Sequence, residues 1–131
     1  MAEFFAAGSS AYFKEGIVSY TNEAKHRLLH VSKDTLSKYG AVSEQTAKEM
    51  AQGARENCDA DYALSITGIA GPDGAVEGKP VGTVWIGLAD RDHVSAKKFE
   101  FSSDRTRNRE RAVRNALNML RLRLLEKEIQ K

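Results

Sequence analysis

The residues best placed to do chemistry lie in a glycine-rich loop, on one lysine, in a run of arginines and in a pair of histidines. Gly68 to Pro80 holds four glycines and both prolines of the chain. Glycines directly after an apolar strand let backbone N–H groups approach an anion or a developing oxyanion. Its opening, Gly68-Ile-Ala-Gly-Pro-Asp-Gly74, fits neither the dinucleotide fingerprint nor the phosphate loop with its Lys-Ser/Thr ending. A plain surface connection has the same composition, so the loop reads as a ligand cradle or as a connector. Lys25 stands close behind a short apolar run that ends at Tyr20. A lysine there is either solvated or, if burial lowers its pKa, a general base. Arg105, Arg107 and Arg109 follow Ser102, Ser103 and Asp104, which are candidate helix caps. Cations in an opening helical turn oppose the dipole, whereas an anion docked there would suit both the N–H groups and the guanidinium forks. His26 and His30 have the i, i+4 spacing of a metal pair but no obvious third ligand, so no metal site is expected.

These residues need elements to position them. Gly16–Tyr20 reads as a short strand, and Asn22 as the N-cap of a short helix reaching His30. Ser32 caps a second helix that ends at Tyr39 with Gly40 after it. Ser43 opens a third, in which Ala47, Met50, Ala51, Ala54 and Cys58 form one apolar face. Tyr62–Thr67 reads as a buried strand leading into the glycine loop. Thr83–Ala89 and Val94–Phe101 flank Asp90-Arg-Asp-His93 and predict an antiparallel hairpin whose second strand, with Lys98 and Glu100, lies at a sheet edge. Trp85, mid-strand, reads as core. Val113, Ala116, Leu117, Leu120 and Leu124 predict a long amphipathic helix to the C-terminus. The 131 residues thus read as one α/β domain, residues 1–131, without repeat or linker.

Composition narrows the function classes. With 41% hydrophobic and 29% charged residues the chain can bury a core and stay solvated. It has no apolar run of membrane-spanning length, so no membrane partner is expected. The N-terminus lacks a secretory pattern, and the single cysteine, Cys58, excludes an internal disulfide; the expected location is cytoplasmic. The net charge of +2 hides an asymmetry: seven arginines fall between Arg105 and Arg123. Without interleaved aromatics, that run reads as a solvated face or an anion site, and nucleic acid is not the expected partner.

Taken in order, several blocks resemble one family. Gly8-Ser-Ser-Ala-Tyr-Phe13, Ser19-Tyr-Thr-Asn-Glu-Ala-Lys25 and Gly40-Ala-Val-Ser-Glu44 are similar to successive signatures of the CinA C-terminal domain. Asp61-Tyr-Ala, Thr67-Gly-Ile-Ala-Gly-Pro72, Lys79-Pro-Val-Gly-Thr-Val-Trp85 and Asp104-Arg105 with Arg109-Glu-Arg-Ala-Val113 continue the resemblance, which runs from about Gly8 to Leu125. It implies a three-layer α/β/α fold with a mixed, mostly parallel sheet containing one antiparallel strand. It also implies hydrolysis of nicotinamide mononucleotide to nicotinate mononucleotide and ammonia, in pyridine-nucleotide recycling, without cofactor or metal.

In that family a serine in a Glu-Ser-Cys-Thr-Gly-Gly motif attacks the amide. The resemblance makes Lys25 its base with Tyr20 close by, a serine–lysine form of nucleophilic catalysis. Thr67, Gly68, Ala70 and Gly71 would line the substrate pocket, and Arg105 and Arg109 would be candidates for the substrate phosphate. The motif does not occur in this sequence, and the family places it upstream of the first residue here. Ser9 and Ser10 match a later Gly-Ser-Ser and are not read as the nucleophile. The chain alone is therefore expected to be inactive, and a homo-oligomer is expected to fill the sheet where the family's first strand would lie. The alternative is a non-catalytic nucleotide-binding or regulatory module.

Overall fold

A computed structural model describes residues 12–69, 71–75 and 78–129. Gly8, Ser9, Ser10 and Ala70 lie outside the described residues.

Three short helices come first, each started by a hydroxyl cap. Helix α1 is Asn22–Leu29; its cap is Thr21, not Asn22, and the Thr21 side chain accepts from Ala24 N–H. His30 closes it in the left-handed region at φ 60°. Helix α2 is Lys33–Tyr39, capped by Ser32 and closed at Gly40. Helix α3 is Glu44–Cys58, capped by Ser43, whose side chain accepts from Thr46 N–H. Ala47, Met50 and Ala51 of the α3 apolar face are buried, while Ala54 and Cys58 are half-buried. Gly53 lets α3 touch the chain at Leu29, because a Cβ there would collide with the Leu29 carbonyl.

Three strands follow: β1 Ala63–Gly68, β2 Thr83–Ala89 and β3 Val94–Glu100, in the order β1-β2-β3. Both pairings are antiparallel, with Ile66 opposite Ile86 and Gly87 opposite Ala96. The α/β class therefore holds, but the described strands form no parallel pair. The connections explain this correction: four residues join β2 to β3, and no helix occurs among the described residues between β1 and β2, so neither link is a helical crossover. Helix α4, Arg105–Ile129, completes the described fold.

The helices cover the two faces of the sheet. Ser65 donates its hydroxyl to the Ala47 carbonyl of α3 at 2.6 Å, and a Cβ on Gly87 would strike the same carbonyl, so this face of the sheet lies against α3. On the other face Val84 and Ile86 form a core with Ala112 and Ala116 of α4, joined by Leu64, Phe99, Phe101 and Met119. A second core unites Leu29, Val31 and Met50.

Two elements depart from expectation. Gly16–Tyr20 is not a strand, and no described strand pairs with it. Helix α4 sits on the sheet through Asn108, Ala112 and Ala116 rather than through its leucines, and Leu124 is exposed. The small alanines allow close approach. A helix of 25 residues also spans about 37 Å, well beyond the roughly 23 Å of a seven-residue strand, so its far end overhangs the sheet. Among the described residues no helix is long and apolar enough to cross a membrane.

Candidate functional site

Lys25 lies on the inner face of α1 and is 7% exposed. Its Nζ donates to the Ser19 carbonyl at 2.8 Å. No carboxylate among the described residues pairs with it, so burial acts unopposed and lowers its pKa from the ordinary 10.5. An amine held this way sheds its proton more readily than a surface lysine. The Gly16–Tyr20 segment thus has a role that its apolar pattern did not suggest: it supplies the carbonyl that holds the amine. Tyr20 follows Ser19 directly and its side chain is 90% exposed.

The second cluster surrounds the glycine loop. Thr67, buried near the end of β1, donates its hydroxyl to the Ala41 carbonyl at 2.7 Å. Gly68 packs so tightly on Val84 that a Cβ would collide with it. The loop is pinched at its base, where Ile69 N–H donates to the Thr83 carbonyl at 2.9 Å and Gly82 N–H to the Ile69 carbonyl at 2.6 Å. Gly71 is buried with φ +96° and precedes a cis bond to Pro72. Arg105 Nη1 donates to the Gly71 carbonyl at 3.0 Å. On the other arm Lys79 Nζ donates to the Tyr39 carbonyl at 2.6 Å. The N–H groups of Gly71, Asp73 and Gly74 make no hydrogen bond to described residues, so the loop can present backbone donors to an oxygen-rich ligand.

The structure therefore joins Thr67, Gly68, Gly71 and Arg105 around one loop. Lys25 shares no hydrogen bond with that loop. Arg109 is exposed and carries no ion pair among the described residues, whereas one arm of the Arg105 guanidinium is engaged by Gly71. His26 and His30 are committed to protein partners, His26 Nδ1 to the Val31 carbonyl at 2.8 Å and His30 Nε2 to Asn57 Oδ1 at 3.1 Å. No group of three or more metal-ligating side chains occurs among the described residues.

A model of the CinA C-terminal domain matches residues 4–124, nearly the whole chain. The chain belongs to the CinA C-terminal domain family. A CinA-like protein of Endomicrobium trichonymphae is 51% identical over 120 residues, covering 92% of this chain and 28% of that protein. A putative competence-damage inducible protein of Caldicellulosiruptor bescii is 50% identical over 119 residues, covering 91% of this chain and 29% of its own length. The chain thus spans under a third of the curated relatives it matches. Among solved structures, competence/damage inducible protein CihA from Agrobacterium tumefaciens aligns with a TM-score of 0.84 at 45% identity, over 87% of this chain and 70% of that one. A CinA superfamily protein from Klebsiella pneumoniae reaches 0.88 at 35% identity, over 92% and 75% of the two chains. The family membership expected from the sequence blocks is thereby shown.

Sequence reasoning missed three contributors. The Ser19 carbonyl beneath Lys25 and the Tyr39 carbonyl beneath Lys79 left no signal, since any residue type supplies a carbonyl. The buried pair of Asp90 and Arg123, 2.6 Å apart, was half visible: an aspartate opening a four-residue hairpin turn was legible, its partner on α4 was not.

Proposed function

We propose that this chain is the substrate-binding and base-supplying part of a nicotinamide-nucleotide amidase, which hydrolyses nicotinamide mononucleotide to nicotinate mononucleotide and ammonia. The observation that carries this reading is the buried Lys25 amine, held by a carbonyl and left without a carboxylate among the described residues. In the proposed reaction, a serine hydroxyl attacks the carboxamide carbon while Lys25 accepts its proton and passes it to departing ammonia. Water then cleaves the acyl-serine ester. The serine belongs to a Glu-Ser-Cys-Thr-Gly-Gly motif that this sequence does not contain. No metal or cofactor takes part, and the setting is cytoplasmic pyridine-nucleotide recycling. Thr67, Gly68 and Gly71 line the pocket, and Arg109, without an ion pair among the described residues, takes the substrate phosphate.

The test joins the chain to an upstream segment bearing that motif. The joined chain is expected to release ammonia and nicotinate mononucleotide, and Lys25→Ala in it to abolish turnover with little loss of substrate binding. The chain alone is expected to bind without turnover. Robust ammonia release from the chain alone, surviving Lys25→Ala, would overturn the reading. Replacing Arg109 by Ala should erase the preference for nicotinamide mononucleotide over its riboside, a loss of about 1.5–3 kcal/mol for a charge-assisted contact. The second reading is a non-catalytic nucleotide-binding or regulatory module; it predicts the same binding but no turnover in the joined chain.

The same reading includes a homo-oligomer. The edge of β1 away from β2 has no partner among the described strands, and Ile66 on it is 40% exposed. Open edges invite pairing, so a second copy is proposed to cover this one. Sedimentation should show association that Ile66→Asp weakens; a monomer at all concentrations would refute it.

A further inference from the structure

We infer that Arg105 is a positioning residue for the Gly71–Gly74 backbone and acts on substrate through that backbone rather than by touching the phosphate. This rests on the reading that the glycine loop lines the substrate pocket.

The carbonyl of Gly71 is the focus. Gly71 is buried, and a buried carbonyl that loses its partner bears the full cost of desolvation. Its hydrogen bond among the described residues comes from Arg105 Nη1, at 3.0 Å and across 34 positions of sequence. A cationic donor makes that bond stronger than a neutral one would be. Arg105 is exposed, but the turn that carries it is tied down. Arg105 opens α4, where buried Asn108 accepts from Ser103 N–H at 3.1 Å and donates its own N–H to the Asp104 carbonyl at 2.9 Å. Asp104 Oδ1 in turn accepts from Arg107 N–H at 2.9 Å. On the loop side, Gly71 can turn to φ +96° because it has no Cβ, which would collide with Val81. Pro72 follows and has no N–H to offer. The carbonyl direction at Gly71 is thus set by a charge on the first turn of α4, and the N–H groups of Gly71, Asp73 and Gly74, unpaired among the described residues, are carried along with it.

This assignment separates the two arginines. Arg109 meets the phosphate and so distinguishes nucleotide from nucleoside. Arg105 sets donors that serve any ligand occupying the loop, charged or not.

The experiment uses the full chain with Arg105→Ala, Arg105→Lys and Arg109→Ala. Calorimetry against nicotinamide mononucleotide and nicotinamide riboside is paired with 15N relaxation at Gly71, Asp73 and Gly74. Arg105→Ala should weaken both ligands by the same factor, about tenfold, and raise fast motion at those three amides while Ile69, Thr83 and Phe101 stay rigid. Arg105→Lys, still able to donate to a carbonyl, should recover much of the loss. Arg109→Ala should weaken the nucleotide alone and leave loop motion unchanged. A loss confined to the nucleotide in Arg105→Ala, or unchanged loop relaxation, would overturn the assignment. If the wild-type chain binds neither ligand, the proposed function fails, while relaxation still decides what Arg105 does to the loop.

Discussion

Lys25 and Asp90 are both buried ionisable residues, and the fold treats them in opposite ways. Asp90 is 3% exposed, yet its carboxylate accepts from Asp92 N–H at 2.8 Å and His93 N–H at 2.7 Å, and pairs with Arg123 at 2.6 Å. Burial alone would raise its pKa; the hydrogen bonds from Asp92, His93 and Arg123, with the charge of Lys127, together outweigh it and hold the group below its ordinary 3.8. Lys25 has one carbonyl and no countercharge among the described residues, so desolvation wins and its pKa falls. A buried charge that is fully partnered locks two elements together, here the β2–β3 turn and α4. A buried amine left short of partners is held ready to change protonation state, which is what a base requires. The contrast gives stability to one corner of the molecule and, under the proposed function, chemistry to the other.

Breaking the Asp90 corner should give the largest effect. Asp90→Ala strands two turn N–H groups and the Arg123 guanidinium, at an expected cost of about 2–4 kcal/mol in urea unfolding. The lower end is favoured by Arg123, whose side chain is 21% exposed and retains some water. The same corner has a pH signature. Because the folded pKa of Asp90 is depressed, its stabilisation is present above 3.8 and is lost as pH falls through the folded value. Asp90→Asn should flatten stability across that acid window, and an unchanged curve would remove Asp90 from the stability account.

Lys25 should give a smaller effect in a different window. Its folded pKa lies below the unfolded 10.5, so the unfolded chain binds the extra proton between the two values. Stability should therefore rise with pH through that interval and level off above 10.5. Lys25→Met should remove this rise. A rise that persists in Lys25→Met would belong to another group and would break the comparison.

Much of the frame was legible in the sequence, and the reasons are local. Ser32 and Ser43 are short polar side chains placed directly before helical runs, and both cap as read. The β2–β3 hairpin followed from two apolar runs around Asp90-Arg-Asp-His93. What was not legible depended on neighbours distant in sequence. Gly16–Tyr20 has a strand's apolar pattern, but strandhood needs a pairing partner, and none exists among the described residues. The α4 leucines satisfy a helical period, yet the sheet selects Ala112 and Ala116, where small side chains permit contact. The antiparallel sheet departs from the expected mostly parallel one because a family's pattern of strands says less than the connections that join them. At the site, Lys25 could be named by its position, whereas its burial and its carbonyl partner arise only from packing. Arg105 could be named as an arginine near an anion site, but its hold on Gly71 required the fold.

The central claim of the proposed function is that burial, with no countercharge among the described residues, makes Lys25 a poised base. The direct measurement is an NMR titration of the Lys25 side chain, following 13Cε in the folded chain as pH is raised. The account predicts a midpoint clearly below 10.5 that is unmoved by Asp90→Asn. A midpoint at or above 10.5 would mean that an unseen partner holds the charge, and the assignment of Lys25 as base would be contradicted.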